Sequence, residues 1–315
     1  MFLNRTRIDS LISNFIKSLR DTQEQEMAEY CLFSGKALRP LIIENIFLSL
    51  CGNSSNPDNK NTIPLLNNKI LNDFMIAVEL LHTASLLLDD LPCMDNDKTR
   101  RGKPCFHIKY SIGDAKILAN KFILYSIKLV YQHLVKFNGI ISVIIDIIQD
   151  TAIGQYIDLT CKTINGKNSI EKCDMLCLKT STLFSLSFVF GYLAFKLSNN
   201  PGDFNNPRDC DCYNENELLE DCNCFIEMGK VFGRLYQISD DFEDYIEDRS
   251  KKRVMNNVLA LGYSASSNIF ISSIQEFKFM LNNEKYSCYN DFFGSILEIL
   301  SSKMNNGLVQ VLQNI

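Results

Sequence analysis

Glycine and proline are scarce in this sequence, 14 and 7 of 315 residues. So few breakers, with convincing hairpin signals rare, speak against a turn-punctuated β protein and suit long helices. An excess of basic charge is also missing. Against 37 Asp and Glu stand 32 Lys and Arg, a net charge of −5. That excludes a global field for nucleic acid, so any phosphate must be held locally. No charge-free apolar run reaches the ~20 residues that cross a bilayer. The longest, Thr180 to Phe195, is closed by Lys179 and Lys196 and carries Ser181, Ser185 and Ser187. It reads as a buried core helix, and no transmembrane segment is expected. Twelve cysteines in a chain this long are too sparse for a disulfide scaffold; most sit singly on apolar faces, which points to reducing surroundings. The first twenty residues lack the apolar block and cleavage site of a secretory signal. Arg5, Arg7, Lys17 and Arg20 against Asp9 leave a transit-peptide remnant open, while Ile8, Leu11, Ile12, Phe15 and Leu19 recur as in an amphipathic helix. The compartment stays open between cytoplasm and a plastid-like or other organelle.

What is present is apolar content, 46% of residues, enough for a sizeable core and too much for a disordered chain. Its period is helical nearly throughout. Helices are expected near residues 6–20, 38–50, 68–90, 113–136, 139–162, 170–197, 216–247 and 255–310. Two stretches rich in Asn, Asp, Ser and Pro, 51–61 and 198–216, are expected loops. With no repeat and no break in composition, residues 1–315 read as a single all-α domain.

Chemistry concentrates in LLLDDLPCMDNDKTRRGKP, residues 86–104. Adjacent Asp89 and Asp90 at the end of an apolar segment are costly unless their charge is compensated. Pro92 breaks the helix beyond them, so Asp95 and Asp97 can turn back. Lys98, Arg100, Arg101, Lys103 and Lys109 follow closely. Carboxylates beside guanidiniums suit a magnesium diphosphate, the carboxylates taking the hard cation and the arginines forking onto phosphate oxygens. A solvated charged loop is the bland alternative. A second cluster, LYQISDDFEDYIED, weighs against it: Asp240 and Asp244 are four apart and share a helical face with Gln237. Like charges at that spacing cost a few tenths of a kcal/mol on an isolated helix, a cost that a cation reverses. Two aspartate-rich helices suit opposing walls of a polynuclear magnesium site.

These segments resemble the trans-isoprenyl diphosphate synthase (polyprenyl synthetase) family. The matches run in family order: SGKALRP at 34–40, LHTASLLLDDLPCMD at 81–95, RRGKP at 100–104, GQYIDL at 154–159, KTSTL at 179–183 and YQISDDFED at 236–244. The spacing of Asp89, Asp90 and Asp95 is similar to the longer first motif of bacterial farnesyl and plant geranylgeranyl synthases. The resemblance implies a single large helical bundle of the isoprenoid synthase type with a central cavity, assembled as a homodimer. It implies condensation of isopentenyl diphosphate with an allylic diphosphate, with three Mg²⁺ per site when substrate is bound. It assigns Asp89, Asp90, Asp95, Asp240, Asp241 and Asp244 to catalysis and metal binding. Lys36, Arg39, His82 and Arg101 resemble the isopentenyl diphosphate contacts; Arg100, Lys179, Thr180 and Gln237 resemble the allylic ones. Gln155 and Asp158 become outer members of the site. In the family a bulky aromatic four or five residues before the first aspartate stops chain growth at farnesyl length. Ser85 and Ala84 stand there, which implies geranylgeranyl diphosphate or a longer product unless Phe122 or Tyr125 closes the tunnel.

The departures are also specific. Ser34-Gly35 replaces paired glycines, Ala37 replaces an arginine, Leu88 a histidine, and Asn120-Lys121 a glycine–aspartate. The short stretch EDRSKKRVMNN lacks the usual closing pattern, with Lys251, Lys252 and Arg253 as candidates for its lysine. These departures motivate an alternative, a catalytically weak regulatory subunit of a related synthase. A class I terpene cyclase is a further alternative that the all-aspartate DDFED disfavours. The pairs Cys210/Cys212 and Cys222/Cys224 are too closely spaced for a usual zinc site and read as incidental.

Overall fold

The computed structural model describes residues 5–33, 35–53, 68–160, 168–199, 214–251, 255–282 and 287–313. Most of the two expected loops lies outside them, as do Ser34, Lys252, Arg253, Cys210 and Cys212. The described chain is all-α. Its helices are α1 (Arg5–Ser18), α2 (Thr22–Leu32), α3 (Leu38–Asn53), α4 (Lys69–Asp89), α5 (Phe106–Lys109), α6 (Ile112–Leu134) and α7 (Asn138–Thr160). There follow α8 (Ser169–Asn199), α9 (Glu215–Glu243), α10 (Tyr245–Ser250), α11 (Asn257–Leu261), α12 (Tyr263–Leu281) and α13 (Asn290–Gln313).

Three features depart from the sequence expectation. Helix α2 was not anticipated, because its face toward the core carries a charge. Glu24 is buried beside Ala28 and Leu32, and Lys121 of α6 neutralises it at 2.5 Å. The expected helix at 255–310 is broken at Gly262, whose φ of +85° ends α11, and again after α12. A small ribbon also forms, β1 (Thr99–Arg100) antiparallel to β2 (Lys103–Pro104). Its two-residue loop has positive φ at Arg101 (53°) and Gly102 (76°), the geometry of a type I′ hairpin.

Contacts divide the chain into two compact units. One comprises Met1–Cys51, Ser55–Ile141 and Phe190–Cys212; the other comprises Gly52–Ser54, Ser142–Val189 and Tyr213–Ile315. In the first, α4 is the spine, buried almost all round and packed along α6. Ile8, Ile12 and Ile16, one turn apart, seal α1 into the core, and Phe74 stacks on Phe190 at 4.8 Å. In the second unit Phe188, Phe232, Phe277 and Phe293 form one aromatic knot from α8, α9, α12 and α13. Phe293 meets the other three at 5.1, 5.6 and 5.2 Å. Such pairs add about 0.5–1.5 kcal/mol each beyond burial, so the knot fixes how α13 lies on α9.

Three helices are long and apolar enough to cross a membrane by length and composition: α4, α7 and the Ser169–Ser198 part of α8. This differs from the expectation based on charge-free runs, because isolated charges do not lower a helix's mean hydropathy much. The apolar windows of α4 and α8 are 67% and 83% buried within the chain, which accounts for their hydropathy. That of α7 is only 22% buried, leaving Ile145, Ile153, Tyr156 and Leu159 exposed.

Candidate functional site

The first acidic cluster forms at the end of α4. The apolar helix carries Asp89 and Asp90 into burial, 4% and 3% exposed. Beyond them the backbone folds back, and Asp95 N–H donates to Asp89 O at 2.9 Å. That turn returns half-buried Asp95 toward the pair, as Pro92 led one to expect. Arg100 of β1 supplies the counter-charge: its Nε and Nη2 reach Asp90 Oδ1 at 2.6 and 2.5 Å, with Asp97 at 3.7 Å.

About two and three turns earlier on α4 stand His82 and Glu79. Burial, reinforced by the positive charges of Arg39, Arg101 and Arg100, pushes the His82 imidazole well below its ordinary pKa, so the ring is neutral. Glu79 is 3% exposed, and burial raises its pKa against the pull of Arg39 and Arg101. The two arginines are the nearest positive charges opposing that rise. A Cβ on Gly35 would fall 2.7 Å from Arg101 Nη1 and 3.3 Å from Glu79 Oε1, so any side chain there would make the guanidinium shift. Lys36 beside it is exposed, and Ala37 takes a left-handed φ of 51°. Arg101 shares that strained region at the hairpin tip, where the ribbon aims it back at Glu79. Ala84 is buried; half-buried Ser85 donates its hydroxyl to His82 O at 2.8 Å. Phe122 is fully buried on α6, and Tyr125 meets Phe15 edge-on at 5.6 Å.

The second acidic cluster closes α9. Asp244 N–H still donates to Asp240 O at 2.8 Å, so the two side chains sit one turn apart at the helix end. Asp241 faces inward, 3% exposed. Gln237 Nε2 donates to its Oδ1 at 2.7 Å; the backbone N–H and Nδ2 of Asn257 both donate to its Oδ2 at 2.7 Å. Burial nevertheless pushes its carboxyl up to about 7, with these donors opposing. Asn256 Nδ2 completes the anchor, donating to Asp241 O and to Asp248 Oδ2. Thr180 donates to Gln237 Oε1 at 2.6 Å, and Lys179 lies 3.5 Å from Asp158. Asp244 is raised to about 6, by burial first and then by Asp240 and Asp248. Lys303 of α13 faces this group and pairs with Asp240 and Glu243.

The residues expected from sequence thus fall into two groups. Asp89, Asp90, Asp95, Arg39, His82, Arg100 and Arg101 gather in the first unit; Asp240, Asp241, Asp244, Gln237, Lys179 and Thr180 gather in the second. Lys251 pairs with Glu247 at 2.7 Å. On α9, Cys222 is buried and Cys224 exposed, so they point apart, and no described cysteine forms a disulfide. Sequence reasoning passed over Glu79, Asn256, Asn257 and Lys303. An acid interrupting an apolar helix one turn before His82 was a usable signal for Glu79. The Asn pair signals an N-cap, which Asn256 provides to Val258 and Leu259, but nothing local announces its tie to Asp241.

Both clusters present oxygen donors only, which suits magnesium. Burial first, and then the neighbouring charges of Asp240 and Asp248, raise Asp244. Among the described residues no three Asp, Glu, His or Cys side chains converge to chelate a metal by themselves.

A family model described as polyprenyl synthetase matches residues 22–258. Hexaprenyl pyrophosphate synthase of Saccharolobus solfataricus is 26% identical over 241 residues, covering 76% of this chain and 69% of that protein. Geranylgeranyl diphosphate synthase of Pantoea ananas is 36% identical over 104 residues, 33% of this chain and 30% of that one. A geranyltranstransferase structure from Thermotoga maritima has a TM-score of 0.69 at 18% identity, over 95% of this chain and 98% of its own. A geranyltransferase from Helicobacter pylori, complexed with magnesium and isoprenyl diphosphate, has a TM-score of 0.61 at 20% identity, over 98% of this chain and 96% of its own. At these identities the structural likeness speaks for the fold.

Proposed function

This chain belongs to the polyprenyl synthetase family, and from that premise we propose that it is a trans-prenyltransferase joining isopentenyl diphosphate to an allylic diphosphate. The observation that carries the reading is the first cluster. There three aspartates end the same helix on which a buried glutamate feels the charges of Arg39 and Arg101.

Arg39 and Arg101, with exposed Lys36 and the neutral His82 ring, hold the isopentenyl diphosphate; guanidinium forks match phosphate oxygens in pairs. Glu79 keeps the two arginines from repelling one another. Arg100, Lys179, Thr180 and Gln237 take the allylic diphosphate, Arg100 turning from Asp90 to phosphate. Magnesium, three ions with substrate bound, supplies neutralisation of the departing diphosphate. Asp89, Asp95, Asp240 and Asp244 are the carboxylates offered to it. Asp90 and Asp241, held by Arg100 and by Gln237 and Asn257, orient the others. The allylic carbon–oxygen bond breaks and its electron pair leaves with diphosphate. The double bond of isopentenyl diphosphate supplies the pair for the new carbon–carbon bond. Proton loss from the neighbouring carbon restores a double bond.

Small Ala84 and Ser85 leave room on α4, which supports geranylgeranyl diphosphate or a longer product. Ala84→Phe is expected to shift products toward farnesyl diphosphate; an unchanged distribution with activity retained places the length gauge elsewhere. The exposed Ile117, Leu124, Ile127 and Tyr131 of α6 and Ile153 and Tyr156 of α7 support a homodimer, which sedimentation tests. The function itself is tested by supplying purified protein with Mg²⁺, labelled isopentenyl diphosphate and a panel of allylic primers. Elongation is expected; a folded protein inert toward every primer supports the regulatory-subunit alternative instead.

A further inference from the structure

Lys303 belongs to none of the motifs read from the sequence, yet its ammonium lies on the second acidic cluster, paired with Asp240 and with Glu243. This is not a loosely tethered surface lysine. Ser239 on α9 donates to Leu300 O on α13 at 3.3 Å. A Cβ on Gly307 would fall 2.5 Å from the Phe242 carbonyl carbon, so α13 lies directly against the end of α9 there. Leu300, Lys303 and Gly307 are spaced by three and four residues, so the face that docks is the face that carries the lysine. The aromatic knot around Phe293 fixes the same helix further back. The side chain is 21% exposed and its pKa is raised, chiefly by Asp240 and Glu243 against the opposing effect of burial. The acidic groups at this helix end are Asp240, Glu243, Asp244 and Asp248.

We infer that Lys303 is the built-in counter-ion of the second acidic cluster, its charge on Asp240 and Glu243 setting the cation concentration at which that cluster loads. The inference rests on the metal role proposed above for Asp240 and Asp244. One carboxylate oxygen cannot accept an ammonium at hydrogen-bond distance and a divalent ion at the same place. That oxygen is taken by the lysine, so a divalent ion must displace it or use the other carboxylate oxygen, and either way the positive charge opposes the arriving cation. The docking of α13 keeps the released ammonium close, beside whatever anion accompanies the metal.

The test uses Mn²⁺ alone as probe, with free Mn²⁺ followed by electron paramagnetic resonance on the full chain without substrate. Lys303→Met is expected to bind Mn²⁺ about tenfold more tightly at the second cluster, since a nearby opposing charge has been removed. Its melting temperature without metal should fall and recover on Mn²⁺ addition. Lys303→Arg should stay within about threefold of the parent, because the charge is kept. A merely structural lysine predicts the reverse, weaker binding in Lys303→Met. Unchanged or weaker Mn²⁺ affinity in a Lys303→Met protein of parental helix content overturns the inference; if that variant does not fold, Lys303→Gln serves in its place under the same criterion. Asp240→Asn, made in both backgrounds, identifies the site. If it leaves Mn²⁺ binding untouched, the metal assignment itself falls, whatever Lys303 does.

Discussion

The two acidic clusters solve one problem, keeping several aspartates at the end of an apolar helix, by opposite means. At the end of α4 the compensation is charge from nearby in sequence: Arg100, ten residues on, lies on Asp90, and Glu79 feels the charges of Arg39 and Arg101. At the end of α9 it is neutral amides and a remote lysine. Gln237 and Asn257 hold Asp241, and Lys303, more than sixty residues away, pairs with Asp240. A charged partner lets a buried carboxylate stay ionised at little cost. Amides stabilise the anion less, so burial displaces Asp241 up to about 7, and burial with the charges of Asp240 and Asp248 displaces Asp244 up to about 6. In the first cluster Arg100 thus offsets the charge of buried Asp90, while in the second Lys303 serves Asp240 and the buried Asp241 has only amide partners.

The largest expected effect treats the clusters as equals. Asp89→Ala and Asp240→Ala should each lower turnover about a thousandfold, the scale of losing a group that stabilises developing charge, with helix content kept. Near-normal turnover in either variant would remove that cluster from the chemistry.

The pH dependence of stability should separate them. A carboxyl raised in the fold favours folding while protonated, so the Asp241 contribution is present below its unfolded value of 3.8 and lost as pH climbs through about 7. Without divalent cation that loss amounts to roughly a few kcal/mol. His82 has the opposite sign. Its pKa is lowered, so its contribution is full above 6.5 and lost as pH falls below that value. Denaturation between pH 4 and 8 should show the first slope flattened in Asp241→Asn and the second in His82→Asn. A profile unmoved by both variants would break the comparison.

Asn257→Ala removes a side-chain donor to Asp241 and should cost about 2 kcal/mol at pH 8, where the carboxylate is charged, and less at pH 5. Urea denaturation at the two pH values checks it. In the first unit the smallest effect is expected. Arg101→Lys should raise the apparent KM for isopentenyl diphosphate about tenfold with kcat little changed, because a point charge does not reproduce the fork. Gly35→Ala, which crowds the same guanidinium, should move KM in the same direction. A change confined to the allylic substrate would exchange the roles of Arg100 and Arg101.

The first cluster was the more legible in sequence because its partners are local. Asp89, Asp90, Pro92, Asp95 and the arginines lie within thirteen residues, and the returning turn forms as Pro92 suggested. Even there the type I′ ribbon at Arg101-Gly102 passed unnoticed, although a residue followed by glycine between short extended segments is its usual mark. In the second cluster only the spacing of Asp240 and Asp244 and the face shared with Gln237 were readable. That Asp241 turns inward depends on Asn256 and Asn257, and no periodicity relates them to it.

By itself the sequence determined the all-α class, most helices to within a few residues, and the two acidic segments, because hydrophobic period and breaker residues act locally along the chain. Tertiary structure decided the rest. It buried Glu24 against Lys121 to make α2, broke the last long helix at Gly262, put Glu79 beneath two arginines, and brought Lys303 to Asp240. Apart from the break at Gly262, which is local to a glycine of positive φ, each of these joins charges far apart in the chain. Their energies exist only once burial has removed the water that would otherwise solvate them.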